Sequence, residues 1–125
     1  YVDDSYATAP EAAIAAIGTF TGPIVWIAGG STKGASFDDL ARAVGKSQVR
    51  QAILIGQEAP RIKEALSHFA EELPVETPSS LVEAVNLARK IAKRGDVVLL
   101  SPACASKDMF ESASDRGDQF KDAID

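Results

Sequence analysis

Three short runs, I-V-W-I-A at residues 24–28, A-I-L-I at 52–55 and V-V-L-L at 97–100, constrain this chain more than anything else in it. A strand exposed on one face alternates apolar with polar residues. Runs this short and this continuously apolar predict strands covered on both faces, bounded here by Pro23, Gly29-Gly30, Gly56 and Gly95-Asp96. Strands of that kind need helices above and below them, and the intervening segments supply these.

Residues 9–16 follow Thr8 and carry Pro10 and Glu11 early, which predicts a helix ending before Gly18. Residues 37–44 predict a short helix stopped by Gly45. Residues 60–72 place Ile62, Leu66 and Phe69 on one face among charges. Ser79-Ser80 caps a stronger helix whose inward stripe is read as Leu81, Val82, Val85, Leu87, Ala88 and Ile91. Arg89, Lys90, Lys93 and Arg94 lie towards its carboxyl end, where cations suit the helix dipole. A last helix is predicted over residues 110–124, broken near Gly117. Apolar strands alternating with such helices predict an α/β fold: a Rossmann-like three-layer sandwich, a mostly parallel sheet with helices on both faces. Trp26 and Phe37 are read as core.

Bulk properties narrow the function. The chain has 125 residues, 46% hydrophobic and 25% charged, enough for one domain with a real core. Thirteen Lys and Arg against eighteen Asp and Glu give a net charge of −5, which argues against a phosphate-backbone surface and so against nucleic acid as a partner. No apolar run approaches a membrane span. One cysteine excludes an internal disulfide and a multi-cysteine zinc site within this sequence. A cytoplasmic, monomeric protein is expected. Because the sequence opens on Y-V-D-D-S without methionine, it reads as a domain cut from a larger protein.

No dinucleotide fingerprint is present: neither G-x-G-x-x-G nor G-x-x-x-x-G-K-[ST] occurs. The loop Gly29-Gly30-Ser31-Thr32-Lys33-Gly34 nevertheless follows a core strand. Lys33 there is either a solvated loop lysine or a cation for a carboxylate or phosphate. Ser106 opens the helical segment after the strand at 97–100 and its turn at Pro102. It is a structural N-cap or, at a helix amino terminus beyond a core strand, an anion contact. Thr8 is first of all a cap. Cys104 reads as a small buried residue, and pairing it with the single histidine, His68, is rejected because His68 falls on the outer face of its helix. Asp115, Arg116, Gly117 and Asp118 fit a ligand-binding turn or an ion-paired kink. Residue chemistry alone therefore predicts an anion site of Lys33 and Ser106 without a self-sufficient catalytic set.

Three segments together resemble one family. S-P-A-C-A-S at residues 101–106, with Asp108, Phe110 and Arg116-Gly117, is similar to the carboxyl-terminal signature of the D-glutamate-adding branch of the Mur ligases. The stretch from Gly29 through Lys33 and Ala35 to Phe37 resembles that branch's G-G-x-x-K-x-A-x-F loop. Asp4-Ser5-Tyr6-Ala7-Thr8 resembles its D-S-K-A-T hinge. The resemblance spans essentially the whole chain.

It implies that residues 1–8 are a hinge and residues 9–125 the carboxyl-terminal, amino-acid-binding domain of an ATP-dependent ligase. That enzyme adds D-glutamate to UDP-N-acetylmuramoyl-L-alanine during peptidoglycan precursor synthesis. The substrate carboxylate is phosphorylated, the amine of D-glutamate attacks the acyl phosphate, and phosphate leaves. Lys33, Ser106 and Thr8 are implied to contact D-glutamate, and Asp4 the nucleotide. ATP, Mg2+ and UDP-N-acetylmuramoyl-L-alanine are implied to be held with two upstream domains, so neither catalytic residues nor a metal site are expected in this domain, and the domain alone is expected to be inactive. The pattern departs at Tyr6, where the family has lysine, at Ala9, where it has asparagine, and at Ala113, where an aromatic lines the pocket. Two alternatives stay open: a Mur-type ligase with another amino-acid substrate, and a non-catalytic module of the same fold.

Overall fold

The computed structural model describes residues 2–3, 10–20, 22–29 and 36–100. Within them the elements run β1 (Val2–Asp3), α1 (Pro10–Ile17), β2 (Ile24–Gly29), α2 (Asp38–Gly45), β3 (Val49–Ile55), α3 (Ala59–Phe69), β4 (Val75–Glu76), α4 (Leu81–Ile91) and β5 (Val97–Leu100). The five strands form one sheet in the order β1-β5-β2-β3-β4, and every pairing is parallel.

The predicted three layers are present. Ile24, Trp26 and Ala28 of β2, Ala52 and Leu54 of β3 and Leu99 of β5 pack with α1, α2 and α3. Val25, Ile27, Ile53, Ile55, Val98 and Leu100 point the other way and pack against α4. All six residues of β2 are buried, which is why its sequence shows no alternation. Trp26 lies fully buried in the three-helix layer, and Phe37 joins the same cluster. Both match the core reading.

The helices form where expected, with instructive shifts. Strand β3 starts at Val49 rather than Ala52, because Val49 and the polar Gln51 pair with Ile24 and Val25 of β2, with Arg50 at the register irregularity between them. Gln51 is buried and spends its amide on the carbonyls of Ala52 and Pro74 (3.1 and 3.0 Å). Helix α3 stops at Phe69, not at residue 72. Phe69 is not core as its spacing suggested: it is exposed and carries the Arg42 guanidinium 4.5 Å above its ring. In α4 the buried face is Leu81, Ala84, Val85 and Ala88, and Val82 is 54% exposed. Helical spacing from Leu81 selects Ala84 over the more hydrophobic Val82, since residues three and four apart share a face. Strands β1 and β4, two residues each, were not anticipated.

Two local devices set the helix ends. Ser80 caps α4 by accepting from the Glu83 amide at 3.2 Å, while Glu83 accepts from the amide and hydroxyl of Ser79 at 3.0 and 2.8 Å. These bonds from Ser79, the amide first, lower the Glu83 pKa. At the end of α2, a Cβ on Gly45 would stand 2.4 Å from the Phe69 carbonyl oxygen, so glycine lets α2 and α3 close on each other there.

A long-range clamp holds the amino end of the sheet. Arg50 of β3 donates through Nε to Asp96 Oδ2 at 2.9 Å and through Nη2 to the same oxygen and to the Ile91 carbonyl. The Lys93 amide donates to that carboxylate as well, at 2.8 Å. One interaction set thus joins β3, the end of α4 and the turn into β5. The Arg50 hydrogen bond, then the Lys93 amide, hold the Asp96 carboxyl below its ordinary pKa. A folded pKa below the unfolded one means that the stabilisation is complete above the unfolded value and lost as pH falls through the folded one. The melting-temperature deficit of Asp96→Asn is therefore expected to be constant from pH 7 down to the ordinary aspartate range and to shrink below it. A deficit equally large under strongly acid conditions would exclude the charged clamp as its source.

Candidate functional site

In an open parallel sheet, ligands bind beyond the carboxyl ends of strands where the strand order changes direction. Here the order runs 2-3-4 to one side and 5-1 to the other, so the change falls between β2 and β5. Ile27 pairs with Leu100, and Leu100 with Asp3. The carboxyl ends of β1, β5 and β2 therefore stand on consecutive strands, about 10 Å from first to last at the usual strand spacing. Asp4, Ser101 and Gly30 are the residues that follow those ends in sequence.

The end of β2 is sterically fixed. Gly29 pairs with Ile55 and has φ +125°, and a Cβ on it would stand 1.8 Å from the Ile55 carbonyl oxygen. Only glycine supports both that angle and that approach. After residues 30–35 the chain is again anchored. The Ser36 hydroxyl accepts from the Asp38 amide at 3.3 Å, and the Phe37 carbonyl accepts from the Ala41 amide at 2.9 Å, opening α2.

Beyond β3 the chain turns at Gly56 (φ +78°) and enters α3 through Glu58, with Pro60 in the first turn. Glu58 is buried, and its Oε2 accepts from Arg61 Nη1 at 2.7 Å. The Arg61 guanidinium lies 5.2 Å from the centroid of the Phe37 ring. An open groove of about 420 Å³ runs beside this contact, lined by Ser36, Phe37, Asp38, Arg61, Glu64 and His68. A recess of about 560 Å³ lies elsewhere, around Val49, Arg50, Phe69 and Pro74 at the amino end of β3, away from the strand carboxyl ends.

The predicted contacts Lys33, Ser106, Thr8 and Asp4 lie outside the described residues. So do Tyr6, Ala9, Cys104, Ala113, Asp115, Arg116, Gly117 and Asp118. What the structure brings together is the strand ends from which their segments continue. His68 is exposed on α3, edge-on to Phe69. Among the described residues no group of three or more His, Cys, Asp or Glu side chains could hold a metal ion, and no helix is long and apolar enough to cross a membrane. Glu58 and Arg61 were missed from sequence. The only signal was G-Q-E-A-P, a turn and helix start, and the link from Arg61 to Phe37 is a tertiary contact.

Residues 1–104 match the family described as Mur ligase, glutamate ligase domain. Similar proteins include one from Streptomyces coelicolor, 46% identical over 99% of this chain, one from Hahella chejuensis, 50% identical over 97%, and one from Caldanaerobacter subterraneus, 47% identical over 99%. Each is named UDP-N-acetylmuramoylalanine–D-glutamate ligase. The chain spans only 27–28% of the length of these relatives.

Gly29→Ala is expected to cost roughly 2–4 kcal/mol, since the new side chain meets both a forbidden φ and the Ile55 backbone. Urea unfolding measures it; a loss within the range of a neutral surface substitution would mean that β2 and β3 are not so close.

Proposed function

Because this chain belongs to the Mur ligase family, as its glutamate ligase domain, we propose that it is the amino-acid-binding part of an ATP-dependent ligase that joins D-glutamate to UDP-N-acetylmuramoyl-L-alanine in the cytoplasm. The observation that carries the reading is the meeting of the carboxyl ends of β1, β5 and β2 at the change of strand order. The three family-like segments continue from those three ends. The names of the relatives favour D-glutamate over another amino acid.

In this reading residues 1–8 form the hinge, with Val2–Asp3 tied to β5, and residues 9–125 form the amino-acid-binding domain. Lys33, Ser106 and Thr8 hold the two carboxylates of D-glutamate. A lysine ammonium and hydroxyl donors give the charge-assisted bonds that a doubly anionic ligand requires. Fixing both carboxylates orients the amine towards the acyl carbon, which supplies most of what a positioning domain contributes to the rate. Asp4 contacts the nucleotide from the hinge. The chain has no phosphate-binding glycine motif, so ATP and Mg2+ are assigned to the remainder of the enzyme, where ATP supplies the phosphoryl group that activates the substrate carboxylate. Closure of this domain over that centre keeps water from the acyl phosphate.

Steady-state kinetics of Lys33→Ala in the full-length enzyme test the assignment. The KM for D-glutamate is expected to rise about tenfold to a hundredfold, the worth of a hydrogen bond to a charged group. The KM for ATP should change little. Equal effects on both, or none, would remove Lys33 from the amino-acid site.

A further inference from the structure

Lys33 lies in a segment that the structure anchors at both ends by different means. At the amino end the anchor is steric, Gly29 against the Ile55 backbone. At the carboxyl end it is a side-chain chain: Glu58 holds Arg61 at 2.7 Å, and Arg61 lies over the ring of Phe37. Phe37 is only 3% exposed, fixed from below by the three-helix core and from above by the guanidinium. The Glu58 side chain is 10% exposed whereas Arg61 is 47% exposed. The carboxylate is thus the rigid member, and the arginine spans from it to the aromatic ring.

We infer that Glu58 and Arg61 are positioning residues for the amino-acid site: they clamp Phe37 and so fix the carboxyl-terminal root of the segment that carries Lys33. The inference rests on the proposed role of Lys33. The physical basis is rigidity. A buried acceptor at the start of α3 orients the planar guanidinium, and a guanidinium over an aromatic face is held in plane as well as in distance. Only three residues separate Lys33 from Phe37, so a shift of the Phe37 backbone would be passed along a very short tether to a lysine that must meet its carboxylate to well within an ångström. Neither Glu58 nor Arg61 has to touch substrate.

The molecule supplies its own control. Arg42 pairs with Asp39 at 3.1 Å and lies over Phe69 at 4.5 Å, the same kind of contact between the same two helices at their other end. In the full-length enzyme, Arg61→Ala is expected to raise the KM for D-glutamate about threefold to tenfold while leaving the KM for ATP within about twofold. Arg61→Lys, which keeps the charge beside Glu58 but loses the plane, should fall between wild type and Arg61→Ala. Arg42→Ala should lower the melting temperature without moving the KM for D-glutamate. Equal shifts in all KM values, a change in melting temperature alone, or the same effect from Arg42→Ala would overturn the clamp. Lys33→Ala measured alongside separates the two readings. A raised D-glutamate KM there with none for Arg61→Ala or Arg61→Lys defeats only the clamp; an unchanged one defeats the role of Lys33 and the clamp with it.

Discussion

Burying both faces of β2 is the constraint on which the rest of this structure depends. A six-residue strand with no exposed position must be flanked by strands on both edges and covered by helices above and below. The chain meets this by placing α1, α2 and α3 on one side and α4 on the other, which requires β5 to return to the middle of the sheet after β4. That return places β5 beside β2, and with it the change of strand order at their carboxyl ends. The location of the candidate site thus follows from the burial problem.

The two ends of the sheet then do different work. At the amino end, Arg50, Asp96 and the last turn of α4 are joined by charge-assisted hydrogen bonds that reach across three elements. At the carboxyl end the described residues anchor the chain by other means: a glycine contact, a serine hydroxyl and an arginine over a ring.

What could be read from the sequence follows the range of the forces involved. The apolar runs of β2, β3 and β5 and the Ser79-Ser80 cap are local signals, and they placed those elements to within a few residues. The α4 stripe was partly misread because hydrophobicity singled out Val82, whereas helical geometry turns the small Ala84 inward. Strands β1 and β4 escaped because two residues have no periodicity; only their partners define them. The Arg50–Asp96 pair spans 46 positions and leaves no trace in a linear pattern. The site was legible as motifs, since Lys33, Ser106, Thr8 and Asp4 belong to recognisable strings. The support beneath those strings was not, because Glu58, Arg61 and Phe37 meet only after α2 and α3 pack.

Among the described residues the sheet ends at β4. Its two residues stand between Pro74 and Pro78, and the Pro74 carbonyl already accepts from the Ala52 amide and the Gln51 side chain. Neither proline has an N–H to offer. Because successive N–H groups of a strand point to opposite edges and β3 takes one of them, at most two of Val75, Glu76 and Thr77 could donate outward, too few for a lasting ladder, and the Glu76 carboxylate stands beside them. Among the described residues, the brevity that hid β4 from the sequence thus also leaves little backbone for a further strand to pair with on that side.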